Sequence, residues 1–307
     1  MTKLFIIGNG FDRDHELKTS YDNFREYLIS NTPIETNRLI MPEPLQLPEG
    51  EIEYDKIEVL SMLFYLISEA ESSNDMWSNV ESSLACLNYA EILDCYDYMD
   101  LWKIAKNNED ISSNLVIPTL TIQQLFSEWI NTIDVNKAKI KKDFRKLLSK
   151  KDLFLTFNYT DTLEEIYNVS SNNICYIHGR QNEEIFFGHG DIHSDKKADY
   201  SMANYIGAEN NLAEIHEGLR KRTDIALSKN ADFFERLADD NIYEIYSYGF
   251  SFSGVDTIYI KKICERVNTQ KVTWYFNDFD QENHNDYIEI LKKNGFKGCF
   301  HTFNISQ

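Results

Sequence analysis

Leu4-Phe5-Ile6-Ile7-Gly8-Asn9-Gly10 places four consecutive apolar residues, rich in β-formers, directly before a turn bracketed by two glycines. A short continuous apolar run of this kind reads as a strand buried on both faces, and the glycines mark where the backbone leaves it. Beyond it, Thr19 or Ser20 is a candidate cap for a helix that carries Tyr21, Phe24, Tyr27 and Leu28 at helical spacing. The chain therefore opens strand, glycine turn, helix.

Further strand signals lie at Leu153–Phe157, Ile174–Ile177, Ile185–Phe187, Ile242–Tyr248, Val272–Phe276 and Cys299–Phe303. Helical patterns fall between several of them, at Thr162–Tyr167, Thr257–Val267 and Gln281–Lys293. Strands alternating with helices predict an α/β fold with a Rossmann-like parallel sheet, the first glycine turn lying at its carboxyl edge. Residues 31–50 hold four of the five prolines and predict an extended, exposed connection. From Asp55 to Lys150 apolar residues recur at three and four positions, among them Leu60, Leu63, Phe64, Ile67, Leu125, Phe126 and Trp129. The expectation is one α/β domain over residues 1–307 with a mainly helical insertion at about 40–150.

At 307 residues the chain is long enough to bury a large core. Its 50 acidic against 31 basic residues give a formal charge of -19, which disfavours direct binding to nucleic acid or to anionic lipid. Five scattered cysteines, without a CxxC pair, fit a reducing compartment and give no zinc or redox motif. Leu4–Ile7 is too short for a signal peptide, and no stretch approaches the roughly 20 apolar residues of a membrane span. A soluble cytoplasmic protein is expected.

Several segments have the residue types of a binding or catalytic site. In Gly8-Asn9-Gly10-Phe11-Asp12, glycine lets the backbone approach a ligand and the following helix start offers amides; a tight turn needs the same glycines for purely structural reasons. Thr156-Phe157-Asn158-Tyr159-Thr160-Asp161 puts Asn158 at a strand's carboxyl end, where its amide can donate to and accept from a ribose or a water; an Asx turn capped by Thr160 or Asp161 is the plainer alternative. His178-Gly179 ends another strand and supplies a candidate general base. His189, Asp191 and His193 have metal-ligand chemistry, but Gly188 and Gly190 interrupt the strand spacing that would align them, so no metal is expected. Trp77 reads as a core anchor, and Glu81 as either a surface residue or a carboxylate sent into a cleft. Gly249-Phe250-Ser251 repeats the strand-to-turn geometry; Asp256 beyond it reads as a helix cap.

These segments together resemble the AbiH family of bacteriophage abortive-infection proteins. The matching stretches are Gly8–Phe24, Trp77–Glu81, Leu155–Tyr167, Ile177–Gly179, Phe187–Gly190 and Tyr248–Asp256, in the family's order. That family in turn looks distantly similar to sirtuin-like NAD-binding domains. Their GAG loop corresponds to Gly8–Gly10 with Phe24-Arg25, their T-x-N-x-D segment to Thr156–Asp161, their His-Gly to His178-Gly179, and their late G-x-S turn to Gly249–Ser251. Asn9 stands where those loops have alanine, and Thr160 where they have aspartate.

The resemblance implies a sirtuin-like fold that takes NAD as substrate and cleaves it to nicotinamide and ADP-ribose. It implies Asn158 and His178 as catalytic residues; cleavage would pass through an oxocarbenium-like state that a nearby carboxylate can stabilise, and Asp12 and Glu81 are the candidates. Gly8, Asn9, Gly10, Phe11, Thr156, Asp161, Gly179, Gly249 and Ser251 would then line the nucleotide pocket. Deacetylation is not implied, since the zinc-binding cysteine quartet is missing. A phage-derived trigger and self-association are partners that the resemblance admits. Two rival readings are a non-catalytic nucleotide-binding defence module and a metal-dependent nuclease or phosphodiesterase built on His189, Asp191 and His193.

Overall fold

The computed structural model describes residues 2–34, 38–71, 77–93, 101–190, 205–239 and 241–305, in eight strands with helices between them. The strands are β1 (Thr2–Ile7), β2 (Pro44–Gln46), β3 (Ile52–Tyr54), β4 (Leu153–Thr156), β5 (Ile174–Tyr176), β6 (Ile242–Tyr248), β7 (Thr273–Asn277) and β8 (Cys299–Phe303). Six of them form one sheet in the order β5-β4-β1-β6-β7-β8, every pair parallel. The chain thus winds outward from β1 to one edge, returns to β1's other side and winds to the opposite edge. This is the order of a doubly wound Rossmann-like sheet, and it puts the topological switch at β1, between β4 and β6.

The chain divides into two compact units. The first comprises Met1–Thr19, Ile130–Phe186 and Arg222–Gln307, and contains the parallel sheet. Alternation along β1 explains its burial. Leu4 and Ile6 join a cluster with Leu155, Ile245, Tyr259 and Trp274, whereas Phe5 and Ile7 join Phe11, Phe144, Phe154 and Tyr167 on the other face. An apolar run without polar alternation is what a strand covered on both faces requires.

The second unit comprises Ser20–Trp129 and Phe187–Lys221. Ser20, the better of the two predicted caps, accepts from the Asn23 amide and completes a capping box for the helix Tyr21–Asn31. Asp55 caps Lys56–Ala70 through the Ile57 and Glu58 amides. Trp77 is buried against Phe24 and Phe64, as a core anchor should be. The proline-rich connection contains a short antiparallel hairpin, β2 with β3; Pro44 sits at its first residue, where a missing N–H is tolerated.

Two details depart from the sequence reading. Ile185–Phe187 is irregular: Phe186 packs against the sheet core while Phe187 stacks on Phe126 at 3.9 Å, so the two side chains serve different cores. The expected helix Gln281–Lys293 begins at His284, after a 3-10 stretch over Asp278–Asn283 that Asn277 caps. Asp191 and His193 lie outside the described residues. Among the described residues no helix is long and apolar enough to cross a membrane.

Candidate functional site

The strand register determines which turn residues gather. Ile7 pairs with Thr156 on one side and with Tyr248 on the other, and Thr156 pairs with Tyr176. Two residues beyond each of these aligned ends stand Asn9, Asn158, His178 and Phe250. In a parallel sheet this carboxyl edge is where ligands bind.

At the switch point the β1 and β6 turns touch through their backbones. The Gly8 amide donates to Tyr248 O at 3.0 Å, the Gly10 amide to Gly249 O at 2.9 Å, and the Phe11 amide to Gly8 O at 2.9 Å. A Cβ on Gly10 would lie 2.6 Å from the Gly249 Cα. Gly249 itself has φ +63, and a Cβ there would collide with the Phe11 nitrogen. Three glycines are therefore explained by packing, and three amides of this turn are occupied by carbonyls. Asn9 is exposed and its amide donates to Thr19 O at 2.8 Å, whereas the Phe11 ring is buried against Phe144 and Tyr248. Ser251 is exposed.

Asp12, one turn into the short helix Asn9–Asp14, is 1% exposed. It accepts from Thr160 Oγ1 at 2.5 Å and from Thr162 Oγ1 at 3.0 Å. Burial pushes its carboxyl up to about 6, against the opposing pull of the two hydroxyls and of the nearby Asn158 amide. Thr160 is thus a hydroxyl donor to Asp12. Asp161 is the residue preceding the helix Thr162–Tyr167; it lies 3.8 Å from Arg180 and its pKa is raised by partial burial.

Asn158 is 6% exposed. Its backbone amide donates to Thr156 Oγ1 at 3.1 Å, which forms the tight turn off β4. Among the described residues, no atom makes a hydrogen bond of normal geometry with its side-chain Oδ1 or Nδ2. Buried amides are almost always bonded, so this side chain suits a polar ligand or solvent.

His178 is 2% exposed, and its Nε2 lies 3.3 Å from Tyr259 Oη and 3.7 Å from Asp256 Oδ1. The Phe157 ring stands edge-on to the imidazole at 5.3 Å. Gly179 has φ +83, and a Cβ there would collide with the Glu184 carbonyl, so the turn after His178 requires glycine. Thr162, Asp256 and Tyr259 were not assigned to a site from sequence. Asp256 lay within a quoted motif but its spacing suggested only a cap; Tyr259 sits among core aromatics and gave no signal.

Glu81 belongs to the second unit. It pairs there with Lys221 at 3.0 Å, the lysine being 5% exposed. In the same unit both ring nitrogens of His189 face carbonyl oxygens, Nδ1 that of Gly190 at 2.8 Å and Nε2 that of His216 at 2.9 Å. A ring so engaged has no nitrogen directed at a metal ion.

Chemically, the first unit's edge offers a buried carboxylate with two hydroxyl donors, a nearby amide without a normal hydrogen bond among the described residues, and a histidine beside a phenol and a carboxylate. Residues 4–278 match the family described as bacteriophage abortive infection AbiH. No curated protein and no solved structure matches the chain. The match covers nearly all of the 307 residues, so the chain belongs to the AbiH family and its biological role is phage abortive-infection defence.

Proposed function

We propose that this AbiH protein defends by hydrolysing NAD to nicotinamide and ADP-ribose at the carboxyl edge of its parallel sheet. The observation that carries the reading is Asn158, a buried amide at a strand end whose polar atoms make no hydrogen bond of normal geometry among the described residues. A ribose diol matches both of its functions. Asp12 is a carboxylate kept buried beside it, and buried ionisable groups in such positions more often serve function than stability.

In this mechanism Asn158 orients the nicotinamide ribose. The bond between C1′ and the nicotinamide nitrogen breaks, and its electron pair neutralises the departing pyridinium. Asp12 stabilises the positive charge that develops on the sugar. A water oxygen then bonds to C1′, and its proton passes to His178 and on to solvent. The diphosphate meets the first turn through side chains and the amides not already bonded at Gly8, Gly10 and Phe11.

The test is NAD loss and nicotinamide release by purified wild type, Asn158→Ala and His178→Ala, beside calorimetric NAD titration. Turnover by wild type that both substitutions abolish, with folding intact, supports the hydrolase. Binding without turnover, in the presence of infected-cell extract as trigger, replaces it with a nucleotide-sensing module.

A further inference from the structure

Asp256 immediately precedes the helix Thr257–Arg266, where an aspartate ordinarily accepts from the helix's first amides, yet its side chain makes no such bond. One carboxylate oxygen accepts from Ser253 Oγ at 2.8 Å, and the other lies 3.7 Å from His178 Nε2. Tyr259, one turn into the same helix and fully buried, brings its hydroxyl to 3.3 Å from that nitrogen. Phe157 packs edge-on against both rings, at 5.3 Å from His178 and 5.5 Å from Tyr259. Ring plane and ring nitrogen are thus fixed by three residues from two turns.

We propose that Asp256, supported by Tyr259, is the positioning residue of His178: it favours the proton on Nε2 and fixes the orientation of the imidazole. The catalytic consequence rests on the hydrolase reading above; the positioning itself does not. An imidazole with a carboxylate beside one nitrogen is biased toward one tautomer and is stabilised when it takes up a proton. In the proposed reaction the imidazolium formed when His178 takes the water's proton would be balanced by the Asp256 carboxylate until the proton leaves to solvent.

The experiment uses the full chain labelled with 15N-histidine, as wild type, Asp256→Asn and Tyr259→Phe, with His178→Ala identifying the His178 signals. Long-range proton–nitrogen spectra read the tautomer directly, and steady-state kinetics with NAD separate kcat from KM. The expected result is a predominantly Nε2-protonated His178 in wild type and a redistributed tautomer in Asp256→Asn. With it, kcat falls by about tenfold or more while KM stays within about twofold. Tyr259→Phe keeps the packing and gives a smaller change of the same kind, which decides the matter if Asp256→Asn does not fold. An unaltered His178 tautomer in the folded variants overturns the proposal. If wild type leaves NAD intact, the hydrolase reading falls, and the histidine spectra alone decide the positioning.

Discussion

Thr160 donates to Asp12 at 2.5 Å, joining the first helix to the turn after β4 across 148 residues of chain. The pair keeps a carboxylate charged in a place that opposes charge. Because burial raises the Asp12 pKa from 3.8 to about 6, the folded protein binds this proton more tightly than the unfolded chain. The ionised group therefore destabilises the fold above pH 6, and the effect fades as pH falls through 6 toward 3.8. At about 1.4 kcal/mol per pKa unit, the destabilisation is on the order of 3 kcal/mol at neutral pH. Asp12→Asn is expected to be more stable than wild type in urea denaturation at pH 8, with the difference shrinking by pH 4. A gap that does not change with pH would show that Asp12 is not the titrating group.

Asn158→Ala separates function from stability. Its side-chain amide makes no hydrogen bond of normal geometry among the described residues and only a weak approach to Asp12, so truncation should change stability by only about 1 kcal/mol. NAD turnover should vanish. Loss of the amide's pull should also lift the Asp12 pKa further, which carbon-detected NMR of the carboxyl would register. A large drop in thermal midpoint would instead make Asn158 a structural turn residue.

Gly249→Ala tests the contact between turns. Its positive φ and the approach of the Phe11 nitrogen leave no space for a methyl group, so a loss of stability on the order of 3 kcal/mol is expected. Gly254→Ala is the control in the same motif, because nothing lies within 4 Å of a Cβ there. Equal unfolding midpoints for the two variants would remove the packing explanation for Gly249.

Glu81→Gln should act through Lys221. Removing the carboxylate takes an anionic partner from 3.0 Å of a nearly buried ammonium, a loss of up to about 3 kcal/mol by chemical denaturation. The double variant Glu81→Leu with Lys221→Met should recover most of that loss. Failure to recover it would indicate that Glu81 does something besides neutralise the lysine.

The sheet was legible because its strands are runs of β-forming residues set between turn signals: the predicted bounds of β6 and β8 coincide with the observed ones, and Ser20 announced its helix by capping chemistry. Ile185–Phe187 misled because β-forming residues look alike whether they pair with a strand or fill two separate cores. At the site, strand-end polar residues such as Asn158 and His178 stood out against apolar neighbours. Tyr259 and Thr162 did not, since one reads as core and the other as a helix start until chain segments far apart are brought together. The glycines were legible as necessary, but only the structure shows that Gly8 and Gly10 face another backbone.

That meeting of Gly10 with Gly249 also constrains when the protein can work. The amino-terminal turn leaves the ribosome first, yet the backbone it packs against is encoded about 240 residues later. At 5–20 residues per second, synthesis separates the two by on the order of ten seconds or more. Throughout that interval the nascent chain has Asp12 and lacks the turn that seats its helix, so no translation intermediate that stops short of the β6 turn carries a finished site.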